Sequence, residues 1–298
     1  MHIAFFDSGL GGLSIVRELF EHNQVHQLAM AQCSYIADTA AFPYGDKHDA
    51  WLTERVVRVI AASLAQIKPD IVVIACNTAS TLALTRLRAT FDVPFVGVVP
   101  AVKPAAQISP RGLIGVLATP ATVARHYTAQ LIADYAPEHT VVLYGAAELV
   151  AQAENKLLGQ PVDKGAIARA LTALLEQGQG ALTQATTAQP AIETIVLACT
   201  HFPLLREELI AACPYPVTWV DSGEAIARRV IQLGSAYARS KHCPLSELPL
   251  RLITTGGALA KRYKSLNFKV YRERQHHQTF DEHIALEIPS THQNPNQP

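Results

Sequence analysis

Twice in this chain an apolar, strand-sized run ends in Ala-Cys and a polar residue: VVIACNTAS at 72–80 and VLACTHFPL at 196–204. Two further pairs occur in the same order. FFDSG at 5–9 matches VLATP at 116–120, with Ser8 and Thr119 in equivalent places, and VGVVP at 96–100 matches WVDSG at 219–223 more loosely. Ordered self-similarity of this kind marks a duplicated structural unit. The repeated runs do not alternate with polar residues, which is the pattern of strands buried on both faces of a parallel sheet. Between them Leu52, Val56, Val59, Ser63 and Ile67 fall on one helical face, as do Ile167, Leu171, Leu174 and Leu175. The expected class is therefore α/β: two pseudo-symmetric, Rossmann-like lobes, each built on a parallel sheet.

At 298 residues, 49% hydrophobic and 17% charged, the chain has ample material for two cores and none of the bias of a disordered protein. Lys+Arg 25 against Asp+Glu 25 leaves no net charge to collect a polyanion, so neither nucleic acid nor an anionic membrane surface is an expected partner. No apolar run approaches the roughly 18 residues of a membrane span, and the amino terminus shows no basic leader with a cleavable apolar region. Cysteines 33, 76, 199, 213 and 243 are odd in number and scattered, unlike a disulfide framework, so thiols in a reducing cytoplasm are expected. Residues 177–189 read as an exposed loop and 275–298 as a disordered tail. The His276–His277 pair there receives no chemical role.

In an open parallel sheet the ligand crevice lies beyond the carboxyl ends of the strands. Asp7 and Ser8, then Cys76, Asn77 and Thr78, then Thr119 and Thr122, and finally Cys199, Thr200 and His201 all follow such strands. Either cysteine alone would read as a buried structural thiol. As a pair in matched settings they read as reactive groups, each followed by small polar residues that suit a helix start, where amide donors favour a thiolate. A free thiol has a pKa of about 8.5, so proton removal near neutrality needs help, and Asp7 and His201 each stand where they can exchange a proton with the cysteine of their own lobe.

Rival sites are weaker. Gly9, Gly11 and Gly12 follow a strand as in a dinucleotide loop, but Ser14 occupies the last glycine position of G-x-G-x-x-G. Asp7, Cys76, Cys199 and His201 are acceptable zinc ligands in type but lack C-x-x-C or H-E-x-x-H spacing. No metal and no organic cofactor is expected. A nucleotide-dependent oxidoreductase would carry cofactor absorbance, and a two-lobed binding protein would not need its thiols.

At these residues the sequence resembles the glutamate racemases, through FDSGLGGLS (6–14), ADTAAFPYG (37–45), ACNTAS (75–80), GVVPAVKPA (97–105), ATPATV (118–123), ACTHFPLL (198–205) and VDSGEAIA (220–227). The resemblance implies two facing lobes with the site in the cleft, residues 1–98 and 209–270 forming the first and 99–208 the second. It implies cofactor-independent interconversion of L- and D-glutamate by a two-base mechanism, in the cytoplasm, supplying D-glutamate for peptidoglycan and so for cell shape. Aspartate or a hydantoin is the alternative substrate. Cys76 is expected to deprotonate D-glutamate with Asp7 assisting, and Cys199 to deprotonate L-glutamate with His201 assisting. Ser8, Tyr44, Gly45, Asn77, Thr78, Thr119, Thr122 and Thr200 match the family's substrate contacts, and Glu154 a further acidic position. The small-molecule substrate is the expected partner, with a homodimer as the candidate assembly. The chain also starts just before its first strand, so dependence on a peptidoglycan-precursor activator is not expected.

Overall fold

The computed structural model describes residues 1–26, 28, 30, 32–109, 112–180, 192–237, 250–263, 266–269, 277–279 and 282–288. Strands β1 (His2–Asp7), β2 (Gln32–Ala37), β3 (Ile71–Ile74) and β4 (Phe95–Gly97) form the base of one lobe. Strands β5 (Leu113–Ala118), β6 (Thr140–Gly145), β7 (Thr194–Leu197) and β8 (Thr218–Val220) form the other. The chain then returns to the first sheet with β9 (Leu250–Thr254), makes a small antiparallel ribbon from β10 (Asn267–Lys269) and β11 (His277–Thr279), and adds β12 (Glu282–Ala285) beside β9.

The two sheets run β12-β9-β2-β1-β3-β4 and β6-β5-β7-β8, with every pairing parallel. Their shared part, β2-β1-β3-β4 against β6-β5-β7-β8, is one order used twice. All three sequence pairs fall on equivalent strands: Ser8 and Thr119 follow β1 and β5, Cys76 and Cys199 follow β3 and β7, and the loosest pair is β4 and β8. In each lobe the order reverses between the first and third strands, which is where the loops diverge and open a crevice.

Helices cover both faces of each sheet, so β3 and β7 are buried at every residue. On one face of the first sheet Ile3 and Phe5 meet Val16, Leu19 and Phe20 of the helix Leu13–His26, and on the other Ala4 and Phe6 meet Leu52, Val56 and Val59 of the helix Asp49–Ile67. In the second lobe Leu117, Ile195 and Leu197 pack on Ile167, Leu171 and Leu174 of the helix Lys164–Gly180. Both helical faces read from the sequence are buried as expected. Among the described residues no helix is long and apolar enough to cross a membrane.

Three expected boundaries differ. The chain leaves the second lobe after Val220 rather than at 209, because β8 supplies the ladder partner that the outer edge of β7 needs. The helix Gly223–Gly234 then packs on Leu13–His26 of the first lobe. Residues 177–180 continue the helix Lys164–Gly180, with Gly178 buried against Ile192, while 181–189 of the expected loop lie outside the described residues. Within the expected tail, β12 pairs with β9 and Leu286 is buried at 3% exposure; the rest of 275–298, His276 included, lies outside the described residues apart from 277–279 and 286–288. Ile284 and Leu286, two positions apart, pack on the first lobe's core beside an otherwise open edge, which no free tail would do.

Deleting residues 275–298 therefore uncovers the β9 edge and the site of Leu286. It is expected to lower stability by about 2 kcal/mol, read as a lower denaturant midpoint. An unchanged midpoint would show that β12 contributes nothing.

Candidate active site

Asp7 ends β1, and its side chain is fully buried. Oδ1 accepts the Gly9 amide at 2.8 Å and the Ser8 hydroxyl at 3.3 Å, while Oδ2 accepts the hydroxyl of Thr200, from the other lobe, at 2.9 Å. Burial raises the Asp7 pKa, opposed by the charge of His201 and by the Gly9 and Thr200 donors. Cys76 stands just before the helix Asn77–Thr90, and the amides of Ala79 and Ser8 point at its sulfur. Burial, then the charge of Asp7, nonetheless pushes this thiol well up, so it rests protonated.

Cys199 follows β7 and is supported differently. Instead of a long helix it meets a turn and the short 3-10 helix Phe202–Leu205, where Pro203 sits near the start, so the helix start expected at both thiols is well formed only at Cys76. Its sulfur lies 3.8 Å from His201 Nδ1, and His201 Nε2 is 2.8 Å from Glu154 Oε1. Burial alone would lower the His201 pKa, but hydrogen bonds and charge from Cys199 and Glu154 raise it well above the usual value. The imidazole is held as a cation between a thiol and a carboxylate. The two lobes thus present one protonated thiol and one thiol beside a fixed positive charge.

The loop after β1 brings these groups together. A Cβ at Gly11 would fall on the His201 ring, and one at Gly9 would come within 2.5 Å of Glu154 Oε1 and 2.7 Å of the Phe42 ring. Only glycine lets the second lobe's His201 and Glu154 approach this closely. The contact is then sealed by the Leu10 amide, which donates to Glu154 Oε1 at 2.7 Å, and by the Ser14 hydroxyl, which donates to the Thr200 carbonyl at 2.8 Å. On another side Arg125 of the second lobe reaches Asp49 of the first at 2.9 Å.

Between the lobes lies a cavity of about 460 Å³, lined by both thiols, Ser8, Tyr44, Gly45, Asn77, Thr78, Thr119, Thr200 and His201. Three of the expected residues stand behind it. Asp7 and Glu154 hold other groups, and Thr122, fully buried, bonds the Thr119 hydroxyl at 3.0 Å and so orients it. Asn77 is 4% exposed, and its Nδ2 has no acceptor among the described residues, which leaves a buried donor at the cavity wall. With the amino terminus of Asn77–Thr90 it suits a carboxylate. Among the described residues no group of three or more His, Cys, Asp or Glu side chains is placed to hold a metal.

Other parts of the site were not among the residues expected from the sequence, although Asp38, Phe42 and Pro43 lie within ADTAAFPYG. Phe42, Pro43, Ala147, Val150 and Ala151 give the cavity an apolar wall. The Tyr44 hydroxyl donates to Asp38 Oδ2 at 2.6 Å; Asp38 is fully buried and also binds Arg55 at 2.6 and 2.9 Å and the Thr255 hydroxyl at 2.6 Å. This cluster fixes the 42–45 turn from behind. Asp38 and Tyr44 share the 37–45 motif, but Arg55 and Thr255 lie outside it, so no local motif joins all four.

The sequence pattern of the Asp/Glu/Hydantoin racemase family matches residues 13–230. The glutamate racemase of Aliivibrio fischeri strain MJ11 is 47% identical over 232 residues, 78% of this chain and 80% of that one. That of Escherichia coli K12 is 44% identical over 231 residues, 78% of this chain and 75% of the relative. A crystal structure of the Escherichia coli glutamate racemase in complex with L-glutamate and the activator UDP-MurNAc-Ala superposes with a TM-score of 0.79 at 36% identity, covering 97% of this chain and 99% of that one. The Aquifex pyrophilus glutamate racemase gives 0.61 at 27% identity, with 89% and 94% covered. With the matched pattern spanning both lobes and both thiols, the chain belongs to the Asp/Glu/hydantoin racemase family.

Proposed function

We propose that the chain interconverts L- and D-glutamate by moving a proton at the α-carbon between Cys76 and Cys199. The observation that carries this reading is the pair of thiols, brought by equivalent strands of two lobes to one cavity. The two relatives and the Escherichia coli crystal structure described above, all glutamate racemases, support glutamate as the substrate. The D-glutamate serves peptidoglycan synthesis, the family's role. The free thiols among the described residues, Cys33, Cys76, Cys199 and Cys213, fit a cytoplasmic site of action.

The chemistry follows from the two environments. With L-glutamate bound, Cys199 as thiolate beside the His201 cation takes the α-proton, and the electron pair left on carbon spreads into the α-carboxylate. The Asn77 amide and the Asn77–Thr90 amino terminus stabilise that added charge. Cys76, resting as a thiol, delivers its proton to the opposite face, giving D-glutamate. Each sulfur has then exchanged its protonation state, and in that state Cys76 as thiolate takes the α-proton of D-glutamate while Cys199 returns its own; when D-glutamate meets the resting protein, Asp7 first takes the Cys76 proton and the His201 cation gives one to Cys199. Asp7 and His201 restore the starting state by exchange with solvent. The burial that raises the Cys76 pKa keeps its proton in place at rest and makes its thiolate costly to form, so the resting protein is set for L-glutamate.

Purified protein incubated with L-glutamate and no added cofactor is expected to lose optical rotation as the racemate forms. Faster turnover of aspartate than of glutamate would overturn the substrate. Cys76→Ala and Cys199→Ala are each expected to lower racemisation by about 10²–10⁴-fold, since each removes the only proton carrier on one face. Activity in either variant close to the parent's would overturn the two-thiol mechanism.

Asp7→Asn and His201→Asn are expected to be milder and directional. The fixed equilibrium constant makes kcat/KM fall equally in both directions, so the asymmetry is read in primary isotope effects with α-deuterated substrate. These should rise from D-glutamate in Asp7→Asn and from L-glutamate in His201→Asn. Equal effects from both enantiomers in both variants would refute the assignment of the helpers to opposite faces.

A further inference from the structure

Tyr263 ends the helix Gly257–Tyr263 of the first lobe, past every motif that points to the reaction and past the matched family pattern. It is fully buried, and its hydroxyl donates to Glu154 Oε2 at 2.6 Å. The other carboxylate oxygen, Oε1, receives the Leu10 amide at 2.7 Å and faces His201 Nε2 at 2.8 Å. We propose that Tyr263 is a positioning residue for proton transfer at Cys199, setting the plane of the Glu154 carboxylate so that Oε1 meets the His201 ring.

The last torsion of a glutamate is broad, so the rotamer alone does not orient the carboxylate. Orientation must come from donors on both oxygens, and Tyr263 is the side-chain donor to Oε2. Burial and the Glu154 charge raise the Tyr263 pKa far above neutrality, so its hydroxyl remains a donor throughout the working range. Asp7 is treated alike: Gly9 and Ser8 hold one of its oxygens and Thr200 the other. Each carboxylate is thus fastened from the opposite lobe: Asp7 by Thr200, and Glu154 by the Leu10 amide on Oε1 and the Tyr263 hydroxyl on Oε2.

The role rests on the reading of Cys199 as a base for L-glutamate, and the test separates the two. Tyr263→Phe keeps the ring and its packing and removes only the donor. It is expected to lower kcat/KM about tenfold in both directions, and to raise the isotope effect from α-deuterated L-glutamate but not from the D-enantiomer. In a Glu154→Gln background the same change is expected to have little effect, since its target carboxylate is gone. Circular dichroism of each variant reports folding separately. Equal isotope effects, or factors that multiply in the double variant, would overturn the role of Tyr263. Absence of racemisation by the unsubstituted protein would instead overturn the activity on which the role depends.

Discussion

Two carboxylates lie out of water between the lobes, and each must be answered by donors or forfeit its charge. Asp7 is answered by Gly9 and Ser8 from its own loop and Thr200 from across the cleft; Glu154 by Leu10 and Tyr263 from across the cleft and His201 beside it. These bonds do two things at once. They join the lobes through buried, charge-assisted contacts, and they place an acid–base group beside each thiol. The glycines of the loop after β1 follow from the same demand, because any side chain at Gly9 or Gly11 would occupy the space of Glu154 or His201.

The duplicated topology gives the two faces of the reaction the same scaffold but different electrostatics. Both thiols leave equivalent strands at the point where strand order reverses. Cys76 has a fourteen-residue helix ahead of it and an anionic neighbour, while Cys199 has a single 3-10 turn and a cationic one. A racemase needs one acid and one base at any moment. Two strictly identical halves would give both sulfurs the same proton affinity; the divergence around them sets the two apart within a symmetric frame.

Much of this was legible in the sequence because it is local. The uninterrupted apolar strands, the two helical faces and the Ala-Cys pair each occupy a single window, and each is found where expected. The third repeat, WVDSG against VGVVP, equates β8 with β4 as the two sheet orders do, yet the return to the first lobe was expected already at 209. A three-residue strand is too short to announce its own sheet, and only the open edge of β7 decides it. The same holds for β12, whose HIAL alternation is outweighed in composition by its polar surroundings. The bonds Asp38–Thr255 and Glu154–Tyr263 were illegible because each joins residues more than a hundred positions apart, and the nearer Asp38–Tyr44 and Asp38–Arg55 contacts follow no helical or strand spacing that would announce them.

The interlobe bonds also bear on how the protein survives between turnovers. Cysteine oxidation runs through the thiolate and needs access by solvent-borne oxidants. Closed, the cleft leaves Cys76 and Cys199 only 6% and 7% exposed. Any parting of the lobes wide enough to expose the sulfurs also draws Thr200 from Asp7 and Leu10 from Glu154. The motion that uncovers the sulfurs thus also breaks bonds that join the lobes. While those bonds hold, both sulfurs stay screened from solvent-borne oxidants.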